Sequence, residues 1–328
     1  MKKVMITGAR GFIGSALCRK LLTFGVEVHA VSRRPSSQAR HWRSGSAGGV
    51  DQGAGAPLVQ WTADLVELEA VRALTKTIRP DVTIHLASQV TGSRSLHYVV
   101  PVLQNNLLAT VNLLTASSEC GANRVVLAGS FEEPDEMDGV PCSPYAAAKW
   151  AVSGYARMFG ALYQSPIVTA KIYMVYGPDQ PDQTKLVPYV ITSLLRGDAP
   201  KLSSGTRVVD WVFVDDVVDG LIGCGQTPGI EGCTVELGSG VLTSIRDVVA
   251  QLSGLMPNVA RPQFGVLPDR PFERSQKADI SRSYELIGWR PHTRLPEGLA
   301  RTVDWYRAQC EASSNGRDVC CDDARDVA

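Results

Sequence analysis

The chain has 328 residues whose 33 basic and 33 acidic side chains cancel, which argues against nucleic acid or a membrane surface as its partner. Eight cysteines, at 18, 120, 142, 224, 233, 310, 320 and 321, show no CxxC or Cys/His spacing, so no metal is expected and they read as free thiols of a reducing cytoplasm. The length suits one large α/β unit or two closely joined ones.

Arg10 and Arg19 interrupt the apolar start MKKVMITGARGFIGSALCRKLL, so neither a signal peptide nor a membrane span is expected and the protein is read as cytoplasmic. KVMIT predicts a first strand, FIGSALCRKLLTFG a helix and VEVHAVS a second strand. The Gly/Ser-rich residues 36–57 predict a mobile loop before the third strand, VQWTADL. ELEAVRALTKTI reads as a helix, VTIHLAS as a strand, 97–120 as a long helix, RVVLAGS as a strand, 144–163 as a second long helix and IVTAKIYMVYG as a strand. Strands apolar on both faces that alternate with helices predict an α/β fold, a Rossmann-type doubly wound parallel sheet.

The rhythm changes after residue 177. KLVPYVITSLLRG and TSIRDVVAQLSGL read as helices, WVFV as a strand, and a last helix is expected near 294–310. The division expected is a dinucleotide-binding domain over 1–172 plus about 210–240, with WVFVDDVVDGL and CTVELGS returning to its sheet. A smaller C-terminal α/β substrate lobe takes about 173–209 plus 241–310, and a flexible tail 311–328.

Gly8, Gly11 and Gly14 fall in the first strand-to-helix turn. Glycines there let backbone approach a pyrophosphate, whose charge the helix N-terminus favours. At the end of the second strand an acid selects NAD and an arginine accommodates the 2′-phosphate of NADP. This chain has Ser32, Arg33 and Arg34 there and no acid, so NADP is expected. Asp64 either accepts from the adenine amine or caps a helix.

In SPYAAAKW, Ser143 can cap a helix and Pro144 can occupy its first position. Tyr145 and Lys149 then share a face. A neighbouring ammonium and the positive helix end stabilise a phenolate, so the pair suits acid/base work on an alcohol or ketone. Ser130 ends the preceding strand, where such folds place ligands, and its hydroxyl can hold a carbonyl oxygen beside the phenol.

These residues resemble the extended short-chain dehydrogenase/reductase family, specifically its nucleotide-sugar epimerases, dehydratases and ketoreductases. The likeness spans roughly residues 3–308 and rests on TGARGFIG, ADL, HLAS, Asn106, YAAAK, VYGP, DWVFVDD and ADISRSYELIGWRP. The resemblance implies that Tyr145 exchanges the substrate proton, Ser130 orients the ketone and Lys149 holds the nicotinamide ribose. It implies a cofactor site of Gly8, Arg10, Gly11, Phe12, Ile13, Gly14, Ser32, Arg33, Arg34, Asp64, Leu65, Leu86, Ala87, Ser88, Asn106, Tyr145, Lys149 and Tyr173. Glu132, Met174, Lys185, Arg207 and Arg270 are the corresponding substrate contacts, with Arg270 on the diphosphate.

Family dehydratases carry Thr-Asp-Glu where this chain has Ser130, Phe131 and Glu132, so the acid for a leaving hydroxyl is missing. Epimerases usually have asparagine at Met174 and arginine at Val209; Arg207, two residues away on the same strand face, is the replacement cation. The expected activity is NADPH-dependent reduction of a nucleotide-linked keto-deoxysugar, a 4-keto-6-deoxyhexose by type. The alternatives are an epimerase that retains its cofactor and a non-catalytic NADP-sensing binding protein. The resemblance also implies a homodimer paired through the two long helices.

Overall fold

The computed structural model describes residues 1–34, 57–135, 139–256 and 259–315. The loop expected over 36–57 lies outside them except for Pro57, as do Cys320, Cys321 and most of the expected tail.

Seven parallel strands form the main sheet: β1 (Lys3–Thr7), β2 (Glu27–Ser32), β3 (Leu58–Thr62), β4 (Val82–His85), β5 (Val125–Ser130), β6 (Ile167–Ile172) and β9 (Thr234–Leu237). Their order is β3-β2-β1-β4-β5-β6-β9, the doubly wound arrangement whose order reverses beside β1 and leaves a crevice at the carboxyl ends. Strand β1 shows why both faces are apolar. Val4 and Ile6 pack on the face with α1 (Phe12–Thr23) and α7 (Val214–Gln226), and Met5 on the face with α2 (Leu68–Ile78) and α4 (Ala109–Glu119).

The first long helix is compound. It starts at Leu96 as a 3₁₀ turn, passes through α3 (Val99–Val102) and a π-helical turn at Leu103–Leu108, and ends as α4. By length and composition Leu96–Glu119 is apolar enough to cross a membrane, yet Ala109, Leu113, Leu114 and Ala116 are buried in the core of this fold. The second long helix, α5 (Pro144–Tyr163), begins as expected: Ser143 Oγ accepts from Ala146 N, with Pro144 in the first turn.

A separate three-stranded sheet contains β7 (Met174–Tyr176), β8 (Val208–Phe213) and β10 (Leu242–Ser244), in the order β10-β8-β7. This corrects the expectation that WVFV rejoins the main sheet, since β8 pairs parallel with β7 and antiparallel with β10. Only α7 and β9 return. Sequence periodicity identifies a strand but not its partner. Asp210 ties the two sheets together. It is fully buried, and its carboxylate accepts from Ser239 N, Gly240 N and Ala278 N and from Ser239 Oγ.

Helices α6 (Leu186–Leu195), α8 (Ile245–Gly254), α9 (Ile280–Ile287) and α10 (Leu295–Asn315) complete the structure. Helix α10 runs past 310, because glutamate and alanine in EASSN keep it helical. Residues 311–315, expected to belong to the tail, are helical.

Candidate active site

The carboxyl edge of the main sheet brings three groups of residues together. The first is the glycine turn. Gly8 has φ +68°, and a β-carbon there would lie 2.6 Å from Ala87 N; one at Gly14 would lie 2.2 Å from Gly8 O. The turn between β1 and α1 thus fits directly against the loop after β4. Helix α1 carries no side-chain cap, so its first-turn amides remain for an anion. In the loop after β4, Ser88 Oγ is buried without a hydrogen-bond partner. The cradle and the orphaned hydroxyl both fit a bound dinucleotide.

The remaining expected cofactor residues divide. Arg33 stands exposed at the end of β2, its Nη1 donating 2.7 Å to Asn105 Oδ1. Arg10 Nη1 and Ser32 Oγ both reach Arg34 O, at 3.4 and 3.0 Å. Asp64 is exposed and accepts from Val66 N at 3.1 Å in a turn before α2; it does not cap that helix, whose N-cap residue is Glu67. Phe12 and Leu65 are buried, Ile13 and Leu86 partly so, and all four add apolar packing beneath this edge.

Two expectations need correction. Asn106 is 1% exposed and spends its amide on Gln89, accepting from its N at 2.7 Å and donating to its O at 3.2 Å. It braces the loop of Leu86, Ala87 and Ser88 through Gln89. Tyr173 is also buried, its hydroxyl donating to Glu236 Oε2 at 2.9 Å and its ring stacked on Phe131. Its hydroxyl is thus held by Glu236 on β9 and by Lys277 O.

The second group is Ser130, Tyr145 and Lys149. Ser130 is 5% exposed at the end of β5; its hydroxyl accepts from Glu132 N at 3.2 Å and lies on the side of the half-buried Tyr145 phenol, whose protonation it influences. Lys149, also 5% exposed, donates from Nζ to Ala128 O at 2.7 Å and lies 5.9 Å from the Tyr145 ring centre. The electrostatics reverse the expected activation of the phenol. Burial, with the Glu132 and Glu133 carboxylates, pushes its pKa well above the usual tyrosine value, and only the neighbouring Ser130 hydroxyl opposes this. Burial draws the Lys149 ammonium down to about 8, with Glu133 resisting. A phenol so held is a proton donor, not a resting phenolate.

The third group flanks the phenol. Glu132 is partly buried, and burial raises its carboxyl pKa against the charges of Arg207 and Lys185. Cys142 Sγ donates to Glu132 Oε2 at 3.8 Å. Arg207 does reach this side, but its donors are committed: Nε and Nη2 to Arg274 O at 3.1 and 3.0 Å, Nη1 to Glu273 at 3.1 Å. It pins the 273–274 segment while its charge also acts on Glu132. Lys185 pairs with Asp182 at 3.8 Å. Met174 is half-buried on β7. Arg270 is exposed and leans on the loop after β4; a β-carbon at Gly92 would lie 2.5 Å from its Nη1. Arg94 Nη2, from the same loop, donates to Pro271 O.

Two residues here had no part in the expected site. Glu133 accepts from Ser130 N at 2.6 Å and from Ser153 Oγ at 2.5 Å. Asn105 orients Arg33 through the π-helical turn. The signal for Glu133 was present: SFEEP sets two acids directly after a strand apolar on both faces, where an acid is buried and must find partners.

Comparison with known proteins agrees with this geometry. The model of the NAD dependent epimerase/dehydratase family matches residues 4–229. A UDP-glucose 4-epimerase of Mycolicibacterium smegmatis is 32% identical over 319 residues, covering 93% of this chain and 98% of that protein. A dTDP-glucose 4,6-dehydratase of Streptomyces antibioticus is 28% identical over 321 residues, covering 93% and 92%. The solved structure of a UDP-glucose 4-epimerase of Thermus thermophilus in complex with NAD has a TM-score of 0.77 at 27% identity, covering 93% of this chain and 99% of that one. A match of that extent, on a sheet and glycine turn of this form, means that the chain belongs to the NAD-dependent epimerase/dehydratase family of nucleotide-sugar enzymes.

Proposed function

We propose that the protein is an NADPH-dependent reductase of a nucleotide-linked keto-deoxysugar, with a 4-keto-6-deoxyhexose as the substrate type. The observation that carries the direction is the Tyr145 phenol beside Ser130, kept protonated by burial and by the nearby Glu132 and Glu133 carboxylates. A neutral phenol gives a proton to a forming alkoxide; an enzyme that starts by oxidising an alcohol needs a group that takes one. The hydride is supplied by the nicotinamide when the dinucleotide is bound. Ser130 and Tyr145 then hold the ketone oxygen between two hydroxyls, and Lys149, charged below about pH 8, stabilises the oxyanion left on the phenol. Phe131 in place of a dehydratase acid supports reduction without loss of water.

The second reading is an epimerase that retains its cofactor, favoured by the 32% identity to a UDP-glucose 4-epimerase. One experiment separates them. With a panel of nucleotide-linked 4-keto-6-deoxysugars and NADPH, a reductase consumes one cofactor per product. With UDP-glucose, an epimerase forms the C4 epimer with no net consumption, and that result would overturn the reductase reading.

Arg33, exposed where no acid is available for a free 2′-hydroxyl, supports NADPH over NADH. Arg33→Asp is expected to move the ratio of the two dissociation constants at least about tenfold toward NADH, the cost of one charge-assisted contact. Equal affinity of the unmodified protein for both cofactors would remove this assignment. For the substrate, Arg270→Ala is expected to raise KM about tenfold or more with kcat little changed, since an anchor far from the reacting carbon supplies uniform binding. An unchanged KM would place Arg270 outside the site. Exposed Leu96, Val99, Val100 and Leu103 on the first long helix, with Tyr155, Leu162 and Tyr163 on α5, support pairing of two copies through these helices.

A further inference from the structure

Behind the candidate catalytic cluster lies a carboxylate that the proposed reaction does not use. Glu133 is 8% exposed. Its Oε1 accepts from the backbone N of Ser130 at 2.6 Å and its Oε2 from Ser153 Oγ at 2.5 Å. Ser153 is one helical turn beyond Lys149 on α5. One carboxylate thus joins the end of β5, which carries the Ser130 hydroxyl, to the helix that carries Tyr145 and Lys149. The space for it is made by Gly129, where a β-carbon would lie 3.1 Å from Glu133 Oε1. Lys149 grips the same strand from the other side through Ala128 O.

We propose that Glu133 is a positioning residue for this site: its carboxylate fixes Ser130 against α5 and supplies the negative charge that faces the buried Lys149 ammonium. The charges around it are few. Lys149 and Tyr145 face it from α5 and Lys171 from β6, and Arg274 Nη1 donates to its backbone O at 3.3 Å. Lys149 is faced in turn by His85 on β4, which burial keeps neutral with a pKa down at about 3. Glu133 is thus the carboxylate set against the Lys149 charge. An ammonium 5% exposed loses its proton readily once such a partner is gone, because burial disfavours the charged form. The inference rests on the reading of Ser130, Tyr145 and Lys149 as the reacting cluster, but its test does not require turnover.

The test is the titration of Lys149 in the cofactor-free protein, followed through the ¹³Cε resonance of labelled lysine and assigned with Lys149→Met. In Glu133→Gln, which keeps the size and an acceptor for Ser130 N, the Lys149 midpoint is expected to fall by about one pH unit, a tenfold change in protonation constant. Ser153→Ala keeps the charge and should leave the midpoint within about 0.3 unit, a shift too small for the loss of a facing charge. The basic limb of any pH–rate profile should move with the midpoint in Glu133→Gln. An unmoved midpoint in a folded Glu133→Gln protein overturns the proposal. If that variant does not fold, Glu133→Asp serves: a shortened carboxylate should lower the midpoint partway, and no change there overturns the proposal equally. Failure of the reading of Ser130, Tyr145 and Lys149 as the reacting cluster shows separately, as a Tyr145→Phe protein with unimpaired turnover.

Discussion

Tyr145→Phe is expected to lower kcat by about 10² to 10⁴, the usual contribution of a positioned acid, while NADPH affinity stays nearly unchanged. The substitution keeps the ring, which is half-buried at the first turn of α5, and removes only the hydroxyl. Folding should change little, because the ring packing is kept and a single hydroxyl is removed. Nothing in the glycine turn or in the Gly8–Ala87 contact changes. Two measurements check this: NADPH titration by fluorescence, and single-turnover reduction of whichever nucleotide-linked keto sugar proves active. Retention of the rate within about threefold, well inside the range assigned to a positioned acid, would return SPYAAAKW to an ordinary helix face. The raised pKa of the phenol also sets a pH expectation. The reductive rate should not fall on the basic side through loss of the tyrosine proton; the decline near pH 8 belongs to Lys149, whose charge is lost as pH rises through about 8.

Local chemistry was read from sequence where one segment holds the whole cause. The glycine turn, the Ser143 cap with Pro144, and the run of strands apolar on both faces each follow from a few adjacent residues. What failed depended on partners far along the chain. WVFV reads as a strand, but its neighbours are β7 and β10, over 30 residues away in either case. Tyr173 and Asn106 stand in the right segments, yet Glu236 and Gln89 claim their polar atoms. Arg207 was expected as a free cation, and the backbone at Arg274 takes its donors. The phenol shows the same limit. Its spacing from Lys149 suggested a lowered pKa, whereas burial and the two acids after Ser130 raise it. Spacing fixes which groups are near; the depth at which they sit decides which protonation state wins.

Lys149→Met should have the other large effect, and it should differ in kind from that of Tyr145→Phe. Methionine keeps the apolar stem but leaves Ala128 O without its donor and Glu133 facing Lys171 alone among the nearby lysines. Glu133 then loses one of the charges that face it, so the variant should melt below the unmodified protein. The loss should depend on pH. With the ammonium gone, the Glu133 pKa rises further above that of the unfolded chain, so the folded state binds the extra proton and stability falls as pH rises through that interval. The melting deficit relative to the unmodified protein should therefore be larger at pH 8 than at pH 5. Turnover should fall by about the same 10² to 10⁴ as for the lost acid, since the oxyanion on the phenol loses its counter-charge. The double variant Lys149→Met/Glu133→Gln separates the two roles. It removes both charges, so thermal stability should recover in part and the pH dependence of the deficit should flatten, while turnover stays low. A double variant no more stable than Lys149→Met would mean that the two charges do not face each other in the folded protein, and near-normal turnover in either would remove Lys149 from the reaction.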